Sequence, residues 1–193
     1  MVAVEQAAGP LAPVTAQHQV LQIKRRAPQP ERVARALELV QHDPAKVGAT
    51  EWTFARELVI LDAWIKKQPI ADVEVQAVQV GPVVLLACPA ECFCQLGLDL
   101  KAGSKFPFTF PVALANDAVG YVPTAEAFSP RGGGYETRLT SYSNLEPTAG
   151  KQIVDALLGL AGRLPPGAIP LPPPIPKFQG QPWSYGRLPP ELE

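Results

Sequence analysis

Polar and apolar positions alternate along two stretches of this chain and recur at helical spacing along four others. Val14 to Lys24 places Val20, Leu21 and Ile23 among glutamines and a histidine, the pattern of an edge strand. Asp72 to Val80 alternates through Val73, Val75 and Ala77 and then shifts phase to Val78 and Val80, a strand with one covered and one wetter face. Gly81-Pro82 supplies a turn, and the unbroken apolar run Val83 to Cys88 reads as a partner strand covered on both sides. Pro89 ends it, because proline has no donor for a ladder. Phe108 to Ala115 is a further strand, with Pro111 marking an edge or bulge.

Helical spacing begins at Pro30-Glu31, where Val33, Leu37 and Val40 recur and Glu31 sits near the positive end of the dipole. Asp43-Pro44 has the form of an N-cap followed by a first helical residue. From about Thr50 to Lys67, Phe54, Leu58, Leu61 and Ile65 form one stripe, broadened by Trp52 and Trp64. A helix opening near Glu91 puts Phe93, Leu96, Gly97 and Leu100 on one face. The last opens at Pro147-Thr148, carries Ile153, Val154, Leu157, Leu158 and Ala161, and stops at Gly162. These elements predict an α/β (α+β) fold over residues 14–164, a mixed sheet with helices packed on it.

Both ends differ from this middle. Residues 1–13 are rich in Ala, Pro and Gly and are expected to be disordered. Residues 165–193 contain ten prolines, which excludes a helix or central strand and predicts an extended tail. Its PLPPPIP run (Pro170 to Pro176) suits an aromatic-lined recognition domain. Phe178, Trp183 and Tyr185 favour a tail pinned along its own domain instead.

The chain has 193 residues, enough for one domain that buries roughly 70% of its unfolded surface. Its net charge of -1 leaves no basic excess to neutralise phosphates, which argues against a nucleic-acid partner. Lys24, Arg25 and Arg26 are the basic cluster, read as a solvated strand end. No apolar run is long enough to cross a bilayer, so no transmembrane segment is expected. Glu5 stands where a signal peptide would carry positive charge. Cys88, Cys92 and Cys94 lack the second pair that a zinc finger needs, and an odd count gives no disulfide framework. Small-residue packing is the preferred role for them. His18 and His42 are read as solvated.

The candidate chemistry lies in Asn116 to Thr137, NDAVGYVPTAEAFSPRGGGYET. It is too long for an ordinary connection and too aromatic for disorder. Glu91, just beyond a buried strand and at a helix start, adds a carboxylate that the helix dipole would hold ionised. An acid at a helix N-terminus is also common without function, and tyrosines in loops are commonly packing residues.

Gly120-Tyr121-Val122-Pro123-Thr124, the turn at Glu126 to Phe128, Tyr135-Glu136, and the upstream VQVGPVVLLACPAECF (Val78 to Phe93) together resemble the neutral, non-lysosomal ceramidase family. The resemblance runs from Val73 to about Leu164. It implies a zinc-dependent amidohydrolase that cleaves the N-acyl amide bond of ceramide-like lipids. In that family two histidines from the N-terminal half, a glutamate and a tyrosine hold the metal, and a second tyrosine polarises the amide carbonyl. Residue by residue this implies Glu91 and Tyr121 as metal ligands and Tyr135 as the catalytic group, displaced slightly by the insertion at Gly132 to Gly134. His18 and His42 match neither family histidine, and no immunoglobulin-like C-terminal domain is evident. The chain therefore reads as the C-terminal portion of a catalytic domain, inactive alone, with Zn2+ bound only together with the upstream half. The resemblance also implies an exported or surface-associated protein. The competing expectation is a non-catalytic scaffold that binds a partner through its proline-rich tail.

Overall fold

The structure is a computed structural model describing residues 14–169, 180, 189 and 191. The expectations for residues 1–13 and for the PLPPPIP segment and its aromatics lie outside the described residues.

Among the described residues six strands and five α-helices follow in order: β1 (Val14–Lys24), α1 (Pro30–Leu39), α2 (Pro44–Val47), α3 (Ala49–Ile65), β2 (Ile70–Val80), β3 (Val83–Ala87), β4 (Glu91–Cys92), α4 (Cys94–Gly103), β5 (Phe108–Val112), β6 (Tyr121–Val122) and α5 (Ala149–Gly162). The main sheet has the order β1-β2-β3-β5. The first three strands are antiparallel, and β5 joins β3 in parallel after the crossover through α4. This is the expected mixed sheet with helices packed on it.

One sheet face carries the core. Ala71, Val73, Val75 and Ala77 of β2 and Val84 and Leu86 of β3 are buried against Ile153, Leu157 and Leu160 of α5 and Leu96 and Leu100 of α4. The phase shift expected after Ala77 does not occur. Gln79 continues the inward face and is fully buried, while Val80 is exposed. A glutamine is tolerated there because its amide donates to the carbonyls of Gly81 and Pro165, and its oxygen accepts from the Thr15 hydroxyl. The chain leaving α5 is thereby tied to the β2–β3 turn, with Gly167 N donating to Gly81 O at 3.0 Å. The expectation of a doubly covered β3 also needs correction, since Val83 and Leu85 are only half-buried on the outer face.

A second, smaller core joins α1 to α3 through Ala36, Ala55 and Leu58, with Leu139 from the loop packed against it. The α1 stripe is shifted from the expected one: Val33 and Ala36 are buried, whereas Leu37 is exposed. Asp43 caps α2 as its spacing suggested, accepting from Ala45 N at 2.9 Å. Among the described residues no helix is long and apolar enough to cross a membrane.

Candidate functional site

Beyond the carboxyl ends of the parallel pair β3 and β5, the two chains run on together as irregular backbone. Cys88 N donates to Val112 O, Ala115 N to Cys88 O, Leu114 N to Ala90 O, and Val119 N to Pro89 O. The segment turns through two left-handed residues, Leu114 at φ 52° and Asn116 at φ 72°. It then re-enters register as a two-stranded parallel ribbon in which Glu91 faces Tyr121 and Cys92 faces Val122. The region outside the carboxyl ends of parallel strands is where open α/β sheets commonly present functional groups, since backbone there is free of ladder pairing.

Glu91 therefore belongs to a strand. The helix begins three residues later at Cys94, with Phe93 as its N-cap. The expectation that a helix dipole holds the Glu91 carboxylate is corrected accordingly. What places the carboxylate is Glu91 N donating to Gly120 O at 3.0 Å and the pairing with Tyr121. Gly120 itself has φ +88°, and a β-carbon built on it would lie 2.1 Å from Tyr142 O. Only glycine fits here, both for its conformation and for the close approach of the Tyr142 backbone. That approach allows Tyr121 N to donate to Tyr142 O at 2.8 Å.

The three residues singled out in the sequence converge. The hydroxyls of Tyr121 and Tyr135 lie 3.2 Å apart, and their rings meet edge to face with centroids 5.4 Å apart. Tyr142 packs on the other side of Tyr121, its centroid 6.2 Å away. The Tyr121 phenol is pushed up to about 12, first by the hydroxyl contact with Tyr135, then by desolvation and by the negative charge of Glu91. The cluster forms open surface: Glu91 is exposed, Tyr121 half-buried, and Tyr135 52% exposed. A cavity of about 480 Å³ lies to one side, between α4, α5 and Thr124–Glu126, lined by Asp99, Lys151 and Asp155 among others.

Two arginines hold the tyrosine loop, in a role that the sequence reading assigned to solvent. Arg26 donates to the carbonyls of Leu145, Thr137 and Ser143 at 2.9, 3.0 and 3.0 Å, and its guanidinium stacks on Phe128 at 4.7 Å. Burial, followed by the charge of Arg32, lowers it to about 10, so it stays protonated at neutral pH. Arg25 stacks on Trp64 at 3.9 Å and donates to the side-chain oxygen of Asn144, which is fully buried. The Asn144 amide in turn donates to the carbonyls of Thr140 and Ser141. The signals available in sequence were the arginines at a strand end and the small polar run Thr140 to Asn144; their partnership is between segments more than a hundred residues apart. From the other side Glu57 of α3 accepts from Ser141 N, and Arg138 lies 3.4 Å over the Phe54 ring.

The histidines are elsewhere. His18 lies on β1, 3.6 Å from Glu74, and His42 is exposed in the connection after α1. Among the described residues no group of three His, Cys, Asp or Glu side chains is placed to hold a metal. Glu91 and Tyr121 offer hard oxygen donors, but two such donors do not complete a zinc centre. The donor set of the described residues thus does not by itself fit a resident zinc ion.

No family model matches the chain, and no curated protein matches it. Among solved structures it is similar to the neutral ceramidase from Pseudomonas aeruginosa, with 16% identity and a TM-score of 0.49 over 85% of this chain and 31% of that one. A structure titled "Ceramidase complexed with C2" is 19% identical with a TM-score of 0.39, over 55% of this chain and 17% of that one. The chain thus spans less than a third of the length of these two proteins.

Proposed function

We propose that this chain is a portion of an amidohydrolase resembling neutral ceramidase, which hydrolyses the N-acyl amide bond of ceramide-like lipids and is inactive without further protein. The observation that carries the reading is the convergence of Glu91, Tyr121 and Tyr135, the three residues named by the sequence resemblance, on one surface beyond the parallel strands. A carboxylate is an ordinary ligand of a hydrolytic zinc, and the family resemblance assigns the phenol beside it to the same metal. The remaining ligands belong, on this reading, to protein outside the described residues. Tyr135 is the group suited to donate a hydrogen bond to an oxygen that gains negative charge. Its exposed hydroxyl donates to the Tyr121 oxygen at 3.2 Å and serves a substrate oxygen by turning that single proton away from Tyr121.

The test is to express the chain alone and joined to the protein encoded immediately upstream of it. The joined protein is expected to take up zinc and to hydrolyse an N-acylsphingosine, and the chain alone to do neither. A joined product that binds no zinc and releases no fatty acid removes the proposal. The second reading, a scaffold docking through its proline-rich tail, turns on residues outside those described. Pull-down with and without residues 165–193 tests it, and equal capture by both forms removes the case for a docking tail.

A further inference from the structure

The backbone corner that carries Glu91 is bracketed by two thiols that touch. Cys88 closes the end of β3 and Cys92 lies in β4, and their Sγ atoms are 3.3 Å apart across Pro89, Ala90 and Glu91. Both backbones are anchored independently of the sulfurs. Cys88 N donates to Val112 O and its carbonyl accepts from Ala115 N, each at 3.0 Å. Cys92 sits in register with Val122, with Glu91 N bound to Gly120 O and Phe93 N bound to Val122 O on either side. Cys88 is only 5% exposed, whereas Cys92 is half-buried and Cys94 exposed. Both contacting thiols also line an apolar cavity of about 100 Å³ beside α4 and Pro111, which leaves the sulfurs room to move.

We propose that Cys88 and Cys92 form a reversible intramolecular disulfide that clasps the Pro89–Glu91 corner. Bond formation requires the sulfurs to approach by about 1.3 Å, a change that side-chain rotation supplies when the backbone already aims them at each other. The oxidant is a low-molecular-weight disulfide. One protein thiol loses its proton and attacks it, breaking the reagent S–S bond, forming a mixed disulfide and releasing one reagent thiol. The second protein thiol then displaces the other reagent half, so that two protein thiols are oxidised and one reagent disulfide is reduced to two thiols. The clasp restrains the segment that presents Glu91 to Tyr121. Its bearing on catalysis rests on the amidohydrolase reading, but the bond itself does not.

The experiment uses the full chain carrying Cys94→Ala, which removes the accessible thiol and any pairing of Cys92 with it. Incubation with oxidised glutathione is expected to consume both remaining thiols and give a monomer lighter by about 2 Da, without a glutathione adduct. The melting temperature is expected to rise by several degrees and to return on reduction. Adding Cys88→Ser is expected to trap Cys92 as a glutathione adduct. Retention of both thiols, a stable adduct on the Cys94→Ala protein, or a disulfide-linked dimer would each overturn the proposal. A bond that forms without raising the melting temperature would overturn the claim that the native corner accommodates it. No readout involves zinc or an amide substrate, so failure here is distinct from failure of the proposed function.

Discussion

Gly120→Ala is the sharpest test of how the site is built, because this glycine stands between the Glu91 strand and the Tyr121 phenol. The new methyl carbon would lie 2.1 Å from Tyr142 O and 2.6 Å from Tyr142 C, and both are backbone atoms that cannot rotate away. It must retreat from Tyr142 O by at least about 1.3 Å to reach ordinary contact. The left-handed conformation at φ +88° adds roughly 1–2 kcal/mol for a residue with a β-carbon. Separating Tyr121 N from Tyr142 O removes a backbone hydrogen bond worth about 1 kcal/mol net. The expected loss is therefore about 2–4 kcal/mol, a large fraction of the roughly 5–15 kcal/mol typical of a domain. Urea unfolding should show a lower midpoint with an unchanged slope. Gly159→Ala is the control, since Gly159 lies on the exposed side of α5 with nothing within 4 Å of the new carbon. That substitution should stabilise by about 0.5–1 kcal/mol. Spectrophotometric titration supplies an independent readout: in Gly120→Ala the elevated phenol should fall from about 12 toward the ordinary range near 10 as Tyr121 leaves Tyr135. A Gly120→Ala protein within about 0.5 kcal/mol of the parent, with Tyr121 still titrating near 12, would refute this account of the corner.

Three further outcomes follow from the same geometry. Glu91→Gln keeps the Tyr121–Tyr135 contact but removes a negative charge, so Tyr121 should titrate below about 12 without returning fully to 10. The sign for stability is that of a phenol raised by folding: its contribution is whole below pH 10 and disappears as pH rises toward 12, which pH-dependent melting of parent and Glu91→Gln proteins will compare. Arg26→Ala removes the donor to the Leu145, Thr137 and Ser143 carbonyls, of which Ser143 O keeps Thr140 N, and should cost about 2–4 kcal/mol by denaturant unfolding. Arg26→Lys should recover less than half of that, because an ammonium cannot reproduce the guanidinium fork. Leu157→Ala, at a fully buried position of α5 over the sheet, should cost about 2–5 kcal/mol in the same assay, and a loss under 1 kcal/mol would contradict the assigned core.

Sequence by itself determined where most of the strands and helices lie. The β1 edge strand, the β2–β3 hairpin, and α1, α3 and α5 all follow from apolar spacing and from Pro and Gly punctuation. Glu91, Tyr121 and Tyr135 were named by the family resemblance and not by spacing, and the fold brings those three together. Tertiary structure decided whatever depended on a distant partner. Gln79 is buried because carbonyls at Gly81 and Pro165 meet its amide, something no alternation of apolar residues reports. Glu91 lies in a strand because Gly120 and Tyr121, some thirty residues later, pair with it, so its local helix-start signal was overruled. Arg25 and Arg26 look solvated along the chain, yet they are the clamps of the tyrosine loop, because charged groups are retained at half-buried positions wherever carbonyls and aromatic faces converge to satisfy them.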